Sequence, residues 1–172
     1  MVRSALRSCL AAVLMSVAVP TFAEPPAPAF DPVGPRVRGA TPAMAQVIER
    51  GIKRSATFAS LVVALNRTKV IVYVQATREL PGGVDGQLAV TTGQGRQRYL
   101  RAQVVAGLGL EETLAIVAHE LQHALEVAEH EEVTDAKTLA ELYSKIGVQA
   151  HGGRFDTIAA QSTGKRVRVE LG

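Results

Sequence analysis

Two histidines four residues apart, with a glutamate directly after the first, stand in the middle of this chain. They are His119, Glu120 and His123, within the run TLAIVAHELQHALE at residues 113–126. On a helix, positions four apart share a face, so both imidazoles project to one side about one turn apart. Neutral ring nitrogens at that spacing suit a single Zn²⁺, each bound at about 2.0–2.1 Å. Glu120 is then placed to take a proton from a water that the metal has acidified, without serving as a ligand.

The flanks say what kind of helix this must be. Leu114, Ile116, Val117, Ala118, Leu121, Ala124 and Leu125 surround the motif, and Glu120 is the only charged residue between 113 and 125. A helix apolar on most sides is buried. Two histidines and a carboxylate inside it need partners, because unpaired buried polar groups are costly. A metal meets that need; so would a set of hydrogen-bonded core histidines with no metal.

The elements around the motif can be read in order. Thr41-Pro42 is an N-cap with proline at the first helical position. Met44, Val47, Ile48, Ile52, Phe58, Leu61, Val62 and Leu65 follow at helical spacing, so the pattern predicts one long helix or two short ones over 42–65, weakened at Gly51. KVIVYVQ at 69–75 is a buried strand candidate. A weaker strand follows at 87–92 and a third, alternating one at 98–105, separated by turn chemistry at Pro81-Gly82-Gly83, Asp85-Gly86 and 92–95. Gly107 and Gly109 precede the motif helix, which should run to about Ala128. Thr134 reads as an N-cap, 135–145 as a second helix stopped by Gly147, and the two helices should lie antiparallel. Residues 155–161 suit a short helix, and KRVRVEL at 165–171 alternates like a strand.

At residues 117–125 the chain resembles the zincin metallopeptidases, specifically small gluzincin-like domains of bacterial exported proteins, and the resemblance covers roughly residues 41–150. It implies an α+β zincin-like fold: an N-terminal helix, a three-stranded, mostly antiparallel sheet, the H-E-x-x-H helix and an antiparallel partner helix. It also implies zinc-dependent hydrolysis of peptide bonds, with His119 and His123 as ligands and Glu120 as general base. A catalytic zinc takes three protein ligands and a water. Members of that family draw a glutamate from the second helix, which points to Glu141, about eighteen positions beyond His123. Glu126 is the rival, although an unbroken helix holds it a turn too far out and favours a role orienting His123. The metzincin continuation is absent, since Glu126 and Glu129 occupy its glycine and last-histidine positions. Asp135 could cap or orient, and His151 could reach the site from a loop. Tyr143 and Arg101 are candidates to stabilise an oxyanion. As in that family, the strand at 98–105 could be an exposed edge where an extended peptide adds.

Composition bounds the rest. With 172 residues, 47% hydrophobic and 20% charged, the chain suits one domain with an aliphatic core. The formal charge of +3 lacks the concentrated basic face that nucleic acid demands. Arg3 and Arg7 precede an apolar run from Cys9 to Val19, and Ala23 follows a small-residue exit. That layout predicts a cleaved signal peptide over 1–23 and export to the periplasm or medium, with no stable membrane span afterwards. Cleavage would remove Cys9, the only cysteine. Prolines crowd 24–42, predicting a linker over 24–40 ahead of a metallopeptidase domain at 41–172. The expected partner is a peptide or protein substrate. The competing class is a non-catalytic metal-binding or scaffold protein on the same fold.

Overall fold

A computed structural model describes residues 34–91, 97–149 and 155–172. The signal-peptide stretch with Cys9, most of the proline-rich linker, the turn at 92–95 and His151-Gly152-Gly153 lie outside the described residues.

The first strand, β1 (Val37–Gly39), falls inside the segment read as linker and pairs in parallel with β2 (Val70–Thr77), Val37 opposite Val72. Between them run α1 (Pro42–Arg54) and α2 (Ala56–Asn66). Thr41 caps α1 as its sequence suggests. The helical pattern breaks at Ser55, whose extended backbone and side-chain cap on the Phe58 amide start α2. Gly51 does not break it. A side chain there would meet the Phe58 ring at 2.8 Å and Leu114 at 2.9 Å, so this glycine lets α1 pack closely.

The sheet differs from the antiparallel expectation. Its order is β1-β2-β4-β3, where β3 is Gly86–Thr91 and β4 is Arg98–Val105. β4 runs parallel to β2, with Val70 opposite Arg98, and only β3 is antiparallel to its neighbour. The loop between β2 and β3, turned at Gly82 and Gly83 with φ of 73° and 67°, is too long for a two-residue hairpin. It carries the chain one strand-width outward, and β4 returns into the gap. Thus β4 is interior, and β3, with β1, forms an edge of the sheet, so the strand at 98–105 is not the exposed edge expected.

The helices α3 (Leu110–Glu129), α4 (Ala136–Ile146) and α5 (Ile158–Leu171) complete an α+β fold. The core is aliphatic: Val70, Val72, Leu100 and Val104 of the sheet meet Leu114, Val117 and Leu121 of α3. Arg98 closes the C-terminal end of α3 by donating to the carbonyls of Val127, Ala128 and His130 at 2.7–3.2 Å. No helix among the described residues is long and apolar enough to cross a membrane.

The C-terminal segment is a helix and not a strand. Ala160, Gly164, Val167 and Leu171 are buried at helical spacing, while Val169 is 81% exposed. The alternation of Val167, Val169 and Leu171 imitates a strand because two of its three members also share a helical face. This helix, α5, is the antiparallel companion of α3. Thr157 meets Glu126, Thr163 meets Gln122, and Arg168 meets Glu112. The helix expected in that place, α4, touches α3 through Tyr143. Its N-cap is Asp135, in a capping box with Thr138.

Candidate metal centre

His119 and His123 project from α3 on one side, as their spacing requires. Their Nε2 atoms lie 3.1 Å apart. Oδ1 of Asp156 lies 3.3 Å from the first and 3.1 Å from the second. Together they form a group that could hold a metal ion. The donor set fits one: ligand atoms placed tetrahedrally at about 2.0 Å around zinc are about 3.3 Å from one another. Two imidazole nitrogens and a carboxylate oxygen already occupy three such corners.

The contact behind His123 leaves its Nε2 for the group. Nδ1 of His123 lies 2.9 Å from Oε2 of Glu126, and Oε1 of Glu126 accepts from the Thr157 hydroxyl at 2.7 Å. With its proton on Nδ1, His123 turns a lone pair on Nε2 toward the group. Asp156 sits at the end of the two-stranded ribbon of β5 (Val148–Gln149) and β6 (Phe155–Asp156), directly before α5. Its Oδ2 accepts from Gln161 at 3.2 Å, and Thr157 caps α5 on the Ala160 amide. One dipeptide, Asp156-Thr157, therefore supplies a donor atom and tethers the carboxylate behind the second histidine.

Electrostatics divide the group. Burial works against a charge on His123, yet the carboxylates of Asp156 and Glu126 hold its pKa up at about 9. Burial and the neighbouring His123 charge push His119 down. Burial also opposes the charge on Asp156, but its bond to His123 and the two imidazoles bring it below the usual carboxylate range. Glu120 is only 5% exposed, and burial drives it up to about 8. A divalent cation in the group would reverse these preferences, expelling the proton from His123 and favouring the anion of Glu120.

Glu120 is pinned from the sheet side. A side chain at Gly86, the first residue of β3, would lie 2.5 Å from Oε1 of Glu120 and 2.5 Å from Ile116. Only glycine lets the edge strand come this close. Across the site, a side chain at Gly164 would stand 3.2 Å from the Ala115 carbonyl and 3.4 Å from the His119 Cβ, so this glycine lets α5 pack closely on α3. His119 and Glu120 thus face a cleft of about 400 Å³ between the start of β3 and α5.

The other sequence candidates separate clearly. Glu141 is half-exposed on α4, 3.7 Å from Lys137, outside the histidine–aspartate group. The reason is the helix pairing: α5 and not α4 lies along α3, so the carboxylate beside the histidines comes from the start of α5. Glu126 lies behind His123, against its Nδ1, and outside the histidine–aspartate group. Arg101 is exposed on the opposite face of β4 from buried Leu100 and Ala102. Tyr143 packs edge-on against His123 and donates to its carbonyl at 3.3 Å, so its hydroxyl orients the helix. Asp156 was the residue missed. One signal pointed to it: it is the only acid between Glu141 and Glu170, immediately before a threonine that caps a helix. No protein family, curated protein or solved structure matches this chain.

Proposed function

We propose that this protein is a zinc-dependent peptide hydrolase, exported as its N-terminal sequence suggests, with His119, His123 and Asp156 as ligands and Glu120 as general base. The observation that carries this reading is the three-cornered donor set beside a single buried carboxylate that opens on a cleft. Zinc held there would supply Lewis acidity, polarising a carbonyl and lowering the pKa of water. Glu120 takes the proton of the attacking water and delivers it to the departing nitrogen. Glu126 and Thr157 keep His123 in the tautomer that ligation needs. β3, at one edge of the sheet, offers main-chain groups to an extended substrate, and a groove of about 730 Å³ between β3 and α4 accepts its apolar side chains.

The test compares zinc-loaded wild type with Glu120→Gln on a broad peptide library. Wild type should cleave, and the variant should bind zinc but lose at least about 100-fold in kcat/KM, the usual worth of a general base. Equal cleavage by both would overturn the mechanism. Zinc binding with no turnover of any peptide would make the protein a metal-binding scaffold.

A further inference from the structure

The charges lining the cleft are unequally committed. Glu120 belongs to the chemistry. Arg168 is held by both oxygens of Glu112, at 2.6 and 2.9 Å. Lys165 remains: it lines the same cleft, is exposed, and has no partner among the described residues. Its place along α5 is fixed by its neighbours. Gln161, a turn earlier, bonds Asp156, and Gly164, the residue before it, faces His119. The Lys165 Cα thus lies about 3.8 Å from that of Gly164, and its four-carbon stem is long enough to carry the ammonium into the cleft beside the first histidine. The opposite wall, at Val84 and Ile116, is apolar, and among the described residues no acid other than Glu120 lines the space.

We propose that Lys165 selects substrates carrying a carboxylate within one or two residues of the scissile bond, on the side of the cleft walled by α5. This rests on the hydrolase reading above. The carboxylate has two sources, an aspartate or glutamate side chain or the free C-terminus of a short peptide. A single flexible cation in a half-open cleft recognises charge and not shape.

The experiment uses the full zinc-loaded chain and matched peptides that differ only in Glu against Gln, or in a free against an amidated C-terminus. Wild type should favour one acidic member about fivefold in kcat/KM, the worth of one partly screened ion pair, and added salt should shrink the ratio. Which pair responds identifies the source. Lys165→Met should bring the ratio to about one, Lys165→Glu should invert it, and Lys165→Arg should keep it. Competition binding with zinc-loaded Glu120→Gln gives a readout independent of turnover. Cleavage with no preference for acid, or a preference that survives Lys165→Glu, overturns the inference and leaves the hydrolase reading intact. No cleavage, but Lys165-dependent binding of acidic peptides, overturns the hydrolase reading alone. Neither cleavage nor charge-dependent binding overturns both.

Discussion

Replacing Gly86 by alanine should disable the site while leaving its metal in place. The new methyl group would stand 2.5 Å from Oε1 of Glu120, 2.5 Å from Ile116 and 3.3 Å from the Glu120 carboxyl carbon. Ordinary contacts between such atoms are about 3.5 Å, so something must move by about 1 Å. Glu120 is buried and β3 is tied to β4 along its length, so neither yields freely. Overpacking of this kind costs about 1–3 kcal/mol, which lowers Tm by about 3–10 °C in a domain of this size. Displacing a proton acceptor by about 1 Å costs on the order of 100-fold in rate. The assay measures zinc affinity, Tm and kcat/KM on the same preparations, with Gly109→Ala as control, because nothing lies within 4 Å of a side chain there. Gly86→Ala should keep zinc affinity and lose activity, while Gly109→Ala should behave as wild type. A fully active Gly86→Ala protein would refute the claim that β3 holds Glu120 in its working position.

Other expectations concern protons and packing. In the metal-free protein His123 holds a proton up to about 9 and Glu120 up to about 8. Zinc binding near pH 7 should therefore release about two protons, measurable by calorimetry in buffers of different ionisation enthalpy. Its affinity should rise by up to about 100-fold per pH unit below about pH 8 and level off above about pH 9. Both pKa values lie above their ordinary 6.5 and 4.5, so the metal-free fold binds more protons than the unfolded chain. Above about pH 6.5, where the lowered pKa of His119 no longer opposes them, stability should therefore fall as pH rises to about 9, and a metal-free Tm that climbs over that range would contradict the assignment. Arg98→Met should lower stability by about 2–3 kcal/mol in chemical denaturation, because it strips charged donors from three carbonyls at the end of α3.

The motif helix and the helical stretch before it were legible because their apolar residues recur at helical spacing, Thr41-Pro42 opens α1, and Glu111 and Glu112 stand in the first turn of α3; the break at Ser55 that divides α1 from α2 was not located. The sheet order was not. Strand candidates show which segments are extended, but whether β4 returns beside β2 or beyond β3 depends on a loop whose length permits either. The C-terminal helix was hidden because Val167 and Leu171 satisfy both periods, and only Val169, facing solvent, breaks the tie. That single misreading put Glu141, and not Asp156, beside the histidines. Once 165–171 is taken as a strand, the companion of α3 has to be α4, and the nearest acid on α4 is Glu141. With α5 in that place, the chain approaches His123 through Asp156-Thr157.

Zinc titration against a chromophoric chelator, on wild type, Asp156→Ala and Glu141→Ala, tests the centre most directly. Wild type should bind one zinc per chain. Asp156→Ala should lose more than the roughly 10–100-fold that removal of a supporting partner costs, and Glu141→Ala should titrate like wild type. A wild-type protein that takes up no zinc, or a loss of affinity in Glu141→Ala with none in Asp156→Ala, would contradict the account.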